Sequence, residues 1–176
     1  VLQSVSFDGT VVAGALQWHA LSSVPKSMRL ANGQTWTSTM DLEGRVQSYS
    51  FAGSTWTLSW DAANRLTQVS NGDPAQAQSF GYDGLDRLTS FTSNPRAQSF
   101  TYDASGNLTS KFDRVASNPG QTDTFTTAAN SNRMTQIANL GIGFGHDAAG
   151  HRTTTPTMTH TYNAKGRLIK TVVVTG

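Results

Sequence analysis

The chain has no cysteine, which excludes disulfides, cysteine nucleophiles and thiolate metal sites and leaves the compartment open. Charge is scarce: Asp, Glu, Lys and Arg make up 14% of the 176 residues, and 13 cations against 11 anions leave a net charge of +2. The cations are scattered, with no run of five or six, so neither nucleic acid nor an acidic membrane is an expected partner. No stretch approaches the roughly 18 apolar residues of a membrane-spanning helix. Val1 to Gln17 lacks the basic start of a signal peptide and is interrupted by Asp8 and Gly9. No window carries a 3.6-residue apolar stripe, so helices are not expected.

What is present is repetition. Tyr82-Asp83-Gly84-Leu85-Asp86-Arg87-Leu88 and Tyr102-Asp103-Ala104-Ser105-Gly106-Asn107-Leu108 are two copies of one unit. Each reads as an aromatic, Asp, two variable residues, Gly or a substitute, a basic or amide residue, and an aliphatic. Looser copies start at Met40, Trp60, His146 and Tyr162, and a degraded one at Ala128. Their second positions fall at 41, 61, 83, 103, 129, 147 and 163. A period near 20 residues marks a repeat architecture, in which each unit buries its face only by stacking on its neighbours.

The unit has hairpin chemistry. A type I turn favours Asp or Asn first and Gly fourth, and in a three-residue hairpin loop that Gly takes the left-handed conformation of a bulge. Asp41–Gly44, Asp103–Gly106, Asp147–Gly150 and Asn163–Gly166 fit this register, and Asn64, Asp86 and Asn132 fill the glycine position elsewhere. The register pairs Met40 with Val46, Trp60 with Leu66, Tyr82 with Leu88, Tyr102 with Leu108 and Tyr162 with Leu168. It also sets Asp41, Asp61 and Asp83 beside Arg45, Arg65 and Arg87. Ser38, Leu58, Phe80 and Phe100 continue the aromatic face. His146–Arg152 and Ala128–Met134 break the pattern, so the ribbon should be least regular from about 114 to 155. Stretches such as Trp56-Thr57-Leu58-Ser59-Trp60 alternate with period two, as half-buried antiparallel strands do. The expected fold is all-β, with about 14 strands from the repeats and a few more from the first 35 residues. A twisted sheet of that extent curls, splits or winds into a spiral.

This unit resembles the YD repeat of the Rhs family, found in teneurin ectodomains, insecticidal toxin complexes and bacterial wall-associated proteins. The resemblance rests on Tyr82, Asp83, Arg87 and Leu88, on Tyr102, Asp103, Gly106, Asn107 and Leu108, and on Tyr162, Gly166, Arg167 and Leu168. Asp41, Gly44, Arg45, Trp60, Asp61 and Arg65 complete the signature positions. Leu30-Ala31-Asn32-Gly33-Gln34-Thr35-Trp36 looks like the Gly-Asn-Gly hairpin that precedes such a repeat. Residues 1–35 then read as leading strands and a hairpin, residues 36–176 as an array of about seven YD repeats, and the whole as a segment of a longer protein. The resemblance implies antiparallel strands curled into a spiral or forming part of a hollow β-shell. In toxin members such a shell encloses a C-terminal domain that is often released by self-cleavage beside an Asp-Pro-x-Gly-type motif. Here the only Asp-Pro is Asp73-Pro74, followed by Ala75 and Gln76, so what the resemblance implies is wall without cargo.

Chemical alternatives are weaker. His19, His146, His151 and His160 match no metal-ligand spacing, and no nucleophile-elbow sequence accompanies the many serines. Gly-Ile-Gly-Phe-Gly (141–145) reads as glycine for close strand approach. The aspartates are explained by turn capping, and the tryptophans by the inner lining. No catalytic, metal or cofactor residue is assigned, and the chain is not expected to be an enzyme. The expectation is a structural segment of a secreted or cell-surface, bacterial toxin-like polyprotein, whose partners are the remaining shell and the domain it encloses. The alternative is an exported adhesion module contacting glycan or a surface protein through loops or exposed aromatics. Self-association is a further expected contact.

Overall fold

The computed structural model describes residues 2–174. The chain is all-β. It opens with β1 (Val5–Phe7), β2 (Thr10–Trp18), β3 (Pro25–Leu30), β4 (Thr35–Met40), β5 (Val46–Phe51) and β6 (Ser54–Trp60). It continues through β7 (Leu66–Ser70), β8 (Gln78–Tyr82), β9 (Leu88–Ser93), β10 (Arg96–Tyr102), β11 (Leu108–Val115) and β12 (Gln121–Thr127). β13 (Met134–Ile137), a 3-10 turn (Ala138–Leu140), β14 (Ile142–Gly143), β15 (Gly145–His146), β16 (Arg152–Thr155), β17 (Met158–Tyr162) and β18 (Leu168–Val173) complete it. Strand order follows chain order, β1 to β14 in one sheet and β15 to β18 in a second, and neither sheet closes into a barrel. The contacts group into two compact units, Val1–Arg87 with Phe91–Pro95, and Leu88–Ser90 with Arg96–Gly176.

In the first unit the loops at opposite ends of the strands use different turn chemistry. Asp8 and Gly9 (φ 48° and 74°) and Ala52 and Gly53 (φ 51° and 80°) form two-residue loops with both φ positive, the conformation whose twist matches that of the strands. The Asp turns are three-residue loops. The Asp41 N–H donates to Arg45 O (2.9 Å) and the Gly44 N–H to Asp41 O (3.2 Å). The expected pairs Met40–Val46 and Trp60–Leu66 are cross-strand neighbours. Just beyond each pair the register shifts by one residue, so Thr39 meets Ser48 and Ser59 meets Gln68. This second bulge brings Tyr49 opposite Ser38 and Val69 opposite Leu58, and keeps the apolar face continuous. The sequence carries its mark, an apolar residue three places after the aliphatic in Val46–Tyr49, Leu66–Val69 and Leu88–Phe91. Leu30–Gln34 makes the same loop without an Asp: the Leu30 N–H donates to Gln34 O (2.8 Å) and the Gly33 N–H to Leu30 O (2.9 Å).

The alternation segregates two faces. One holds the aromatics, with Tyr49 and Trp56 stacked 6.4 Å apart and Phe80 tilted against Phe91 at 5.4 Å. The other holds hydroxyls that bond across strands, Thr39 to Ser48 (2.7 Å) and Ser50 to Thr55 (2.8 Å). Among the described residues only Ala13 and Ser38 are buried, and no large side chain is fully buried. A 176-residue chain ordinarily buries a core; here the aromatic face of the first unit stays half-exposed.

In the second unit the expected pairs Tyr102–Leu108 and Tyr162–Leu168 hold, and His146 faces Arg152. The degraded copy differs from its expected register. Thr127, not Ala128, faces Met134. The turn starts one residue earlier, with Ala128 accepting from Ser131 (3.1 Å) and donating to Arg133 (2.9 Å). Asn132 therefore does not fill the glycine position, and its φ is not positive. With neither an Asp in first position nor a Gly in fourth, the loop relaxes to one more residue. The expected irregularity lies here, with the 3-10 turn closed by left-handed Gly141 and the change of sheet at Phe144. A β-carbon on Gly145 would collide with the Thr154 hydroxyl, consistent with glycine serving close strand approach.

Candidate functional site

Each turn aspartate gathers its own loop. Asp41 Oδ1 accepts the backbone N–H groups of Glu43 (3.1 Å) and Arg45 (2.9 Å), and Oδ2 accepts Arg45 Nε (2.7 Å). Asp61 repeats this with Ala63 (2.9 Å), Arg65 (3.0 Å) and Arg65 Nε (2.7 Å). Asp83 does so with Leu85 (2.9 Å), Arg87 (3.0 Å) and Arg87 Nε (2.7 Å). At Asp103 the side-chain donor is Asn107 Nδ2 (2.8 Å); at Asp147 it is His151 Nδ1 (2.9 Å). Asn163 Oδ1 accepts the Lys165 and Arg167 N–H groups, both at 3.0 Å. Gly44, Gly106 and Gly166 take φ of 78°, 85° and 71°, and Asn64 and Asp86 take 63° and 62° in the same position.

These bonds set the charge state. The backbone N–H and then the guanidinium of Arg65 hold Asp61 below the usual carboxylate range, and the Asn107 amide does the same for Asp103. For Asp41 and Asp83 partial burial pushes upward, but the combined hydrogen bonds of Arg45 and Arg87 outweigh it and both carboxyls end up lowered. Arg65 is raised in turn by Asp61. Carboxylates held ionised by their own loops have no proton to donate near neutral pH.

The signature residues also reach between turns. Arg45 Nη1 donates to Asn64 Oδ1 (2.7 Å), and Arg65 Nη1 to Asp86 Oδ1 (2.8 Å) and Asp83 O (2.9 Å). Asn107 Nδ2 reaches Asn132 Oδ1 (3.1 Å), and Arg133 Nη1 reaches Asp147 O (3.1 Å). The aromatics reach the other way. Trp60 Nε1 donates to Val46 O (2.9 Å), the Tyr82 hydroxyl to Leu66 O (2.9 Å) and the Tyr102 hydroxyl to Leu88 O (2.8 Å). Arg45 lies over the Trp60 ring at 5.8 Å and Arg65 over Tyr82 at 5.1 Å, within cation–π range. Where His151 replaces the arginine, its ring stacks on Tyr162 at 4.6 Å. Within each unit the repeat signature is thus a seam, its turns tied to themselves mostly by Asp and to the next by a long donor such as Arg and by the following aromatic.

In the sequence Asn64 and Asp86 stand out only as residues that tolerate left-handed backbone. The structure adds that each carries the oxygen the preceding Arg needs. The pairing of a long donor with a side-chain acceptor 19 or 21 residues on was visible in the sequence, but its meaning depends on which turns adjoin.

The chemical alternatives gain little from the geometry. His19 Nε2 lies 3.0 Å from Ser38 Oγ, a pairing not anticipated from sequence. Ser38 donates its proton to Pro25 O (2.7 Å) and is 5% exposed, so the imidazole is the donor and the hydroxyl is no nucleophile. Among the described residues no three His, Asp or Glu converge on a metal-sized site. Trp56 and Trp60 are half-buried, one stacked on Tyr49 and the other bonded to Val46. An open polar hollow of about 560 Å³ lies beside Asp103, Asn107, Asn130 and Asn132.

Fold and seam together define a repeat protein of antiparallel hairpins stitched turn to turn. No family model and no curated protein sequence matches the chain. Solved structures do. A Photorhabdus luminescens Tc holotoxin pore carrying a TccC3 mutation aligns with a TM-score of 0.74 at 17% identity, over 97% of this chain and 10% of that one. The crystal structure of TcdB2-TccC3 aligns with a TM-score of 0.72 at 17% identity, over 97% and 11%. TcdB2-TccC3 without its hypervariable C-terminal region gives 0.73 at 17% identity, over 97% and 10%. This chain therefore spans about a tenth of the length of the chains it matches. At such identity the likeness is one of fold, and at that level it bears out the resemblance to the YD-repeat proteins.

Proposed function

We propose that the chain is a non-enzymatic wall segment of an Rhs-type shell, enclosing or scaffolding other parts of a secreted or surface-displayed, toxin-like polyprotein. One observation carries this reading: among the described residues only Ala13 and Ser38 are buried, and the aromatic face of the first unit stays half-exposed. A half-exposed face bearing Tyr49, Trp56, Trp60, Phe80 and Tyr82 gains stability from apolar segments laid against it. The turn seam supplies rigidity along the sheet without a second layer. The fold likeness to TcdB2-TccC3 supports the same assignment.

The test is to add a permanently unfolded probe, reduced and carboxymethylated α-lactalbumin, and follow tryptophan emission together with tryptic digestion of the probe. A wall segment shifts its emission to the blue and slows cleavage of the probe, and Trp56→Ser weakens both effects. A probe digested at its free rate with no change in emission removes the enclosing role. Binding to a glycan array through the loops would then favour the adhesion module.

A further inference from the structure

The seam changes its chemistry at one step. At Arg45, Arg65 and Arg133 the donor that reaches the next turn is a guanidinium, whereas at Asn107 it is a carboxamide. Arg45 shows what the longer side chain does. Its Nε donates to Asp41 Oδ2 (2.7 Å) and its Nη1 to Asn64 Oδ1 (2.7 Å), so one guanidinium spans the carboxylate of its own turn and the amide oxygen of the next. At the Asp103 turn the corresponding oxygens are Asp103 Oδ2 and Asn132 Oδ1. A single group, Asn107 Nδ2, reaches both, at 2.8 Å and 3.1 Å. Asn is several atoms shorter than Arg, so the space a guanidinium would take is left to solvent.

That space is the open hollow of about 560 Å³, whose lining includes Asp103, Ser105, Asn107, Asn130, Ser131 and Asn132. One side of it is the lengthened loop that begins at Ala128. Among the described residues that line it Asp103 alone is charged, and the others are amides, hydroxyls and alanines. The carboxylate disfavours an anion, and so polar a lining disfavours an apolar ligand. A guanidinium, planar with five N–H donors and no acceptor, matches a wall of carboxylate and amide oxygens. The volume exceeds what a bare guanidinium fills and leaves room for the stem and backbone of the residue that carries it.

We propose that this hollow binds a guanidinium group, the side chain of an arginine on another polypeptide segment, in the place that the seam's own arginines fill elsewhere. The inference does not depend on the wall reading, since the hollow lies at the turns and the aromatic face on the strands.

Titration of end-blocked tripeptides, followed through the backbone amide resonances of residues 103–107 and 127–132, tests it. Ala-Arg-Ala is expected to shift them saturably, and about ten-fold more tightly than the same peptide with citrulline or lysine in place of arginine. Asn107→Arg supplies the guanidinium from within, and it is the residue type that Arg45 and Arg65 already place at this position. This variant is expected to melt about 2–4 °C higher and to bind the arginine peptide about ten-fold more weakly. Asn130→Ala, at an exposed position, weakens binding while circular dichroism shows the fold unchanged. Resonances that do not move overturn the proposal, as does equal binding of the arginine and citrulline peptides. An Asn107→Arg chain that still binds the arginine peptide as the parent does overturns it as well. Propylguanidine, the bare side chain, bound more tightly than the peptide would overturn a polypeptide as the source.

Discussion

Gly106 isolates the cost of the turn from everything around it. It is the fourth residue of the Asp103 turn, with φ of 85° and its N–H donating to Asp103 O at 3.1 Å. A β-carbon built there meets nothing within 4 Å, so Gly106→Val reports chiefly backbone strain. Left-handed backbone costs an L-residue roughly 1–2 kcal/mol, and a β-branched residue falls at the upper end. For a domain of this size each kcal/mol moves the melting temperature by about 2–4 °C, so Gly106→Val lowers it by about 4–8 °C. Ser105→Val, one position earlier, is exposed with no positive φ and stays within about 0.5 kcal/mol of the parent. Gly106→Asn falls between them, because Asn tolerates left-handed backbone. Thermal unfolding followed by circular dichroism measures all three. Equal shifts for Gly106→Val and Ser105→Val would refute the turn register.

Other perturbations test the seam. Tyr82→Phe removes the donor to Leu66 O and costs about 1 kcal/mol, read from the urea midpoint; an unchanged midpoint would make that bond incidental. Arg45→Lys lowers the melting temperature in the parent but much less in an Asn64→Gly background, because one contact serves both; an equal loss in the two backgrounds would show that the turns are not coupled there. Gly150→Ala is more damaging than Gly106→Ala, since its β-carbon would sit 2.8 Å from Arg133 Nη2 as well as at φ of 93°; equal losses would displace Arg133 from the seam. Asp61, Asp83 and Asp103 titrate below their ordinary 3.8 in the folded chain. On acidification the unfolded chain takes up protons first. The stabilisation these groups give is complete above about pH 4 and is lost as pH falls through the lowered folded values. A melting temperature unchanged between about pH 5 and about pH 2.5 would contradict this.

The repeat and its hairpin register were legible in the sequence because turn chemistry is local. Asp in first position and Gly, Asn or Asp in fourth specify a loop through bonds that span five residues, and Trp60–Leu66 and Tyr102–Leu108 follow by counting. The same locality explains the miss at Ala128: with neither Asp in first position nor Gly in fourth, no local chemistry fixed the loop length, and the ladder placed Thr127 opposite Met134. The second bulge left a trace in the spacing of Leu66 and Val69, yet it took shape only when both had to lie on the aromatic face opposite β6. What tertiary structure alone decided is how the signature is used. Arg45 finds Asn64, and Tyr82 finds Leu66, only because stacking sets each turn beside the next, and a side chain's partner 19 or 16 residues away depends on that adjacency. Tertiary structure also left the aromatic face of the first unit half-exposed, since exposure belongs to the assembled sheet and to no single repeat.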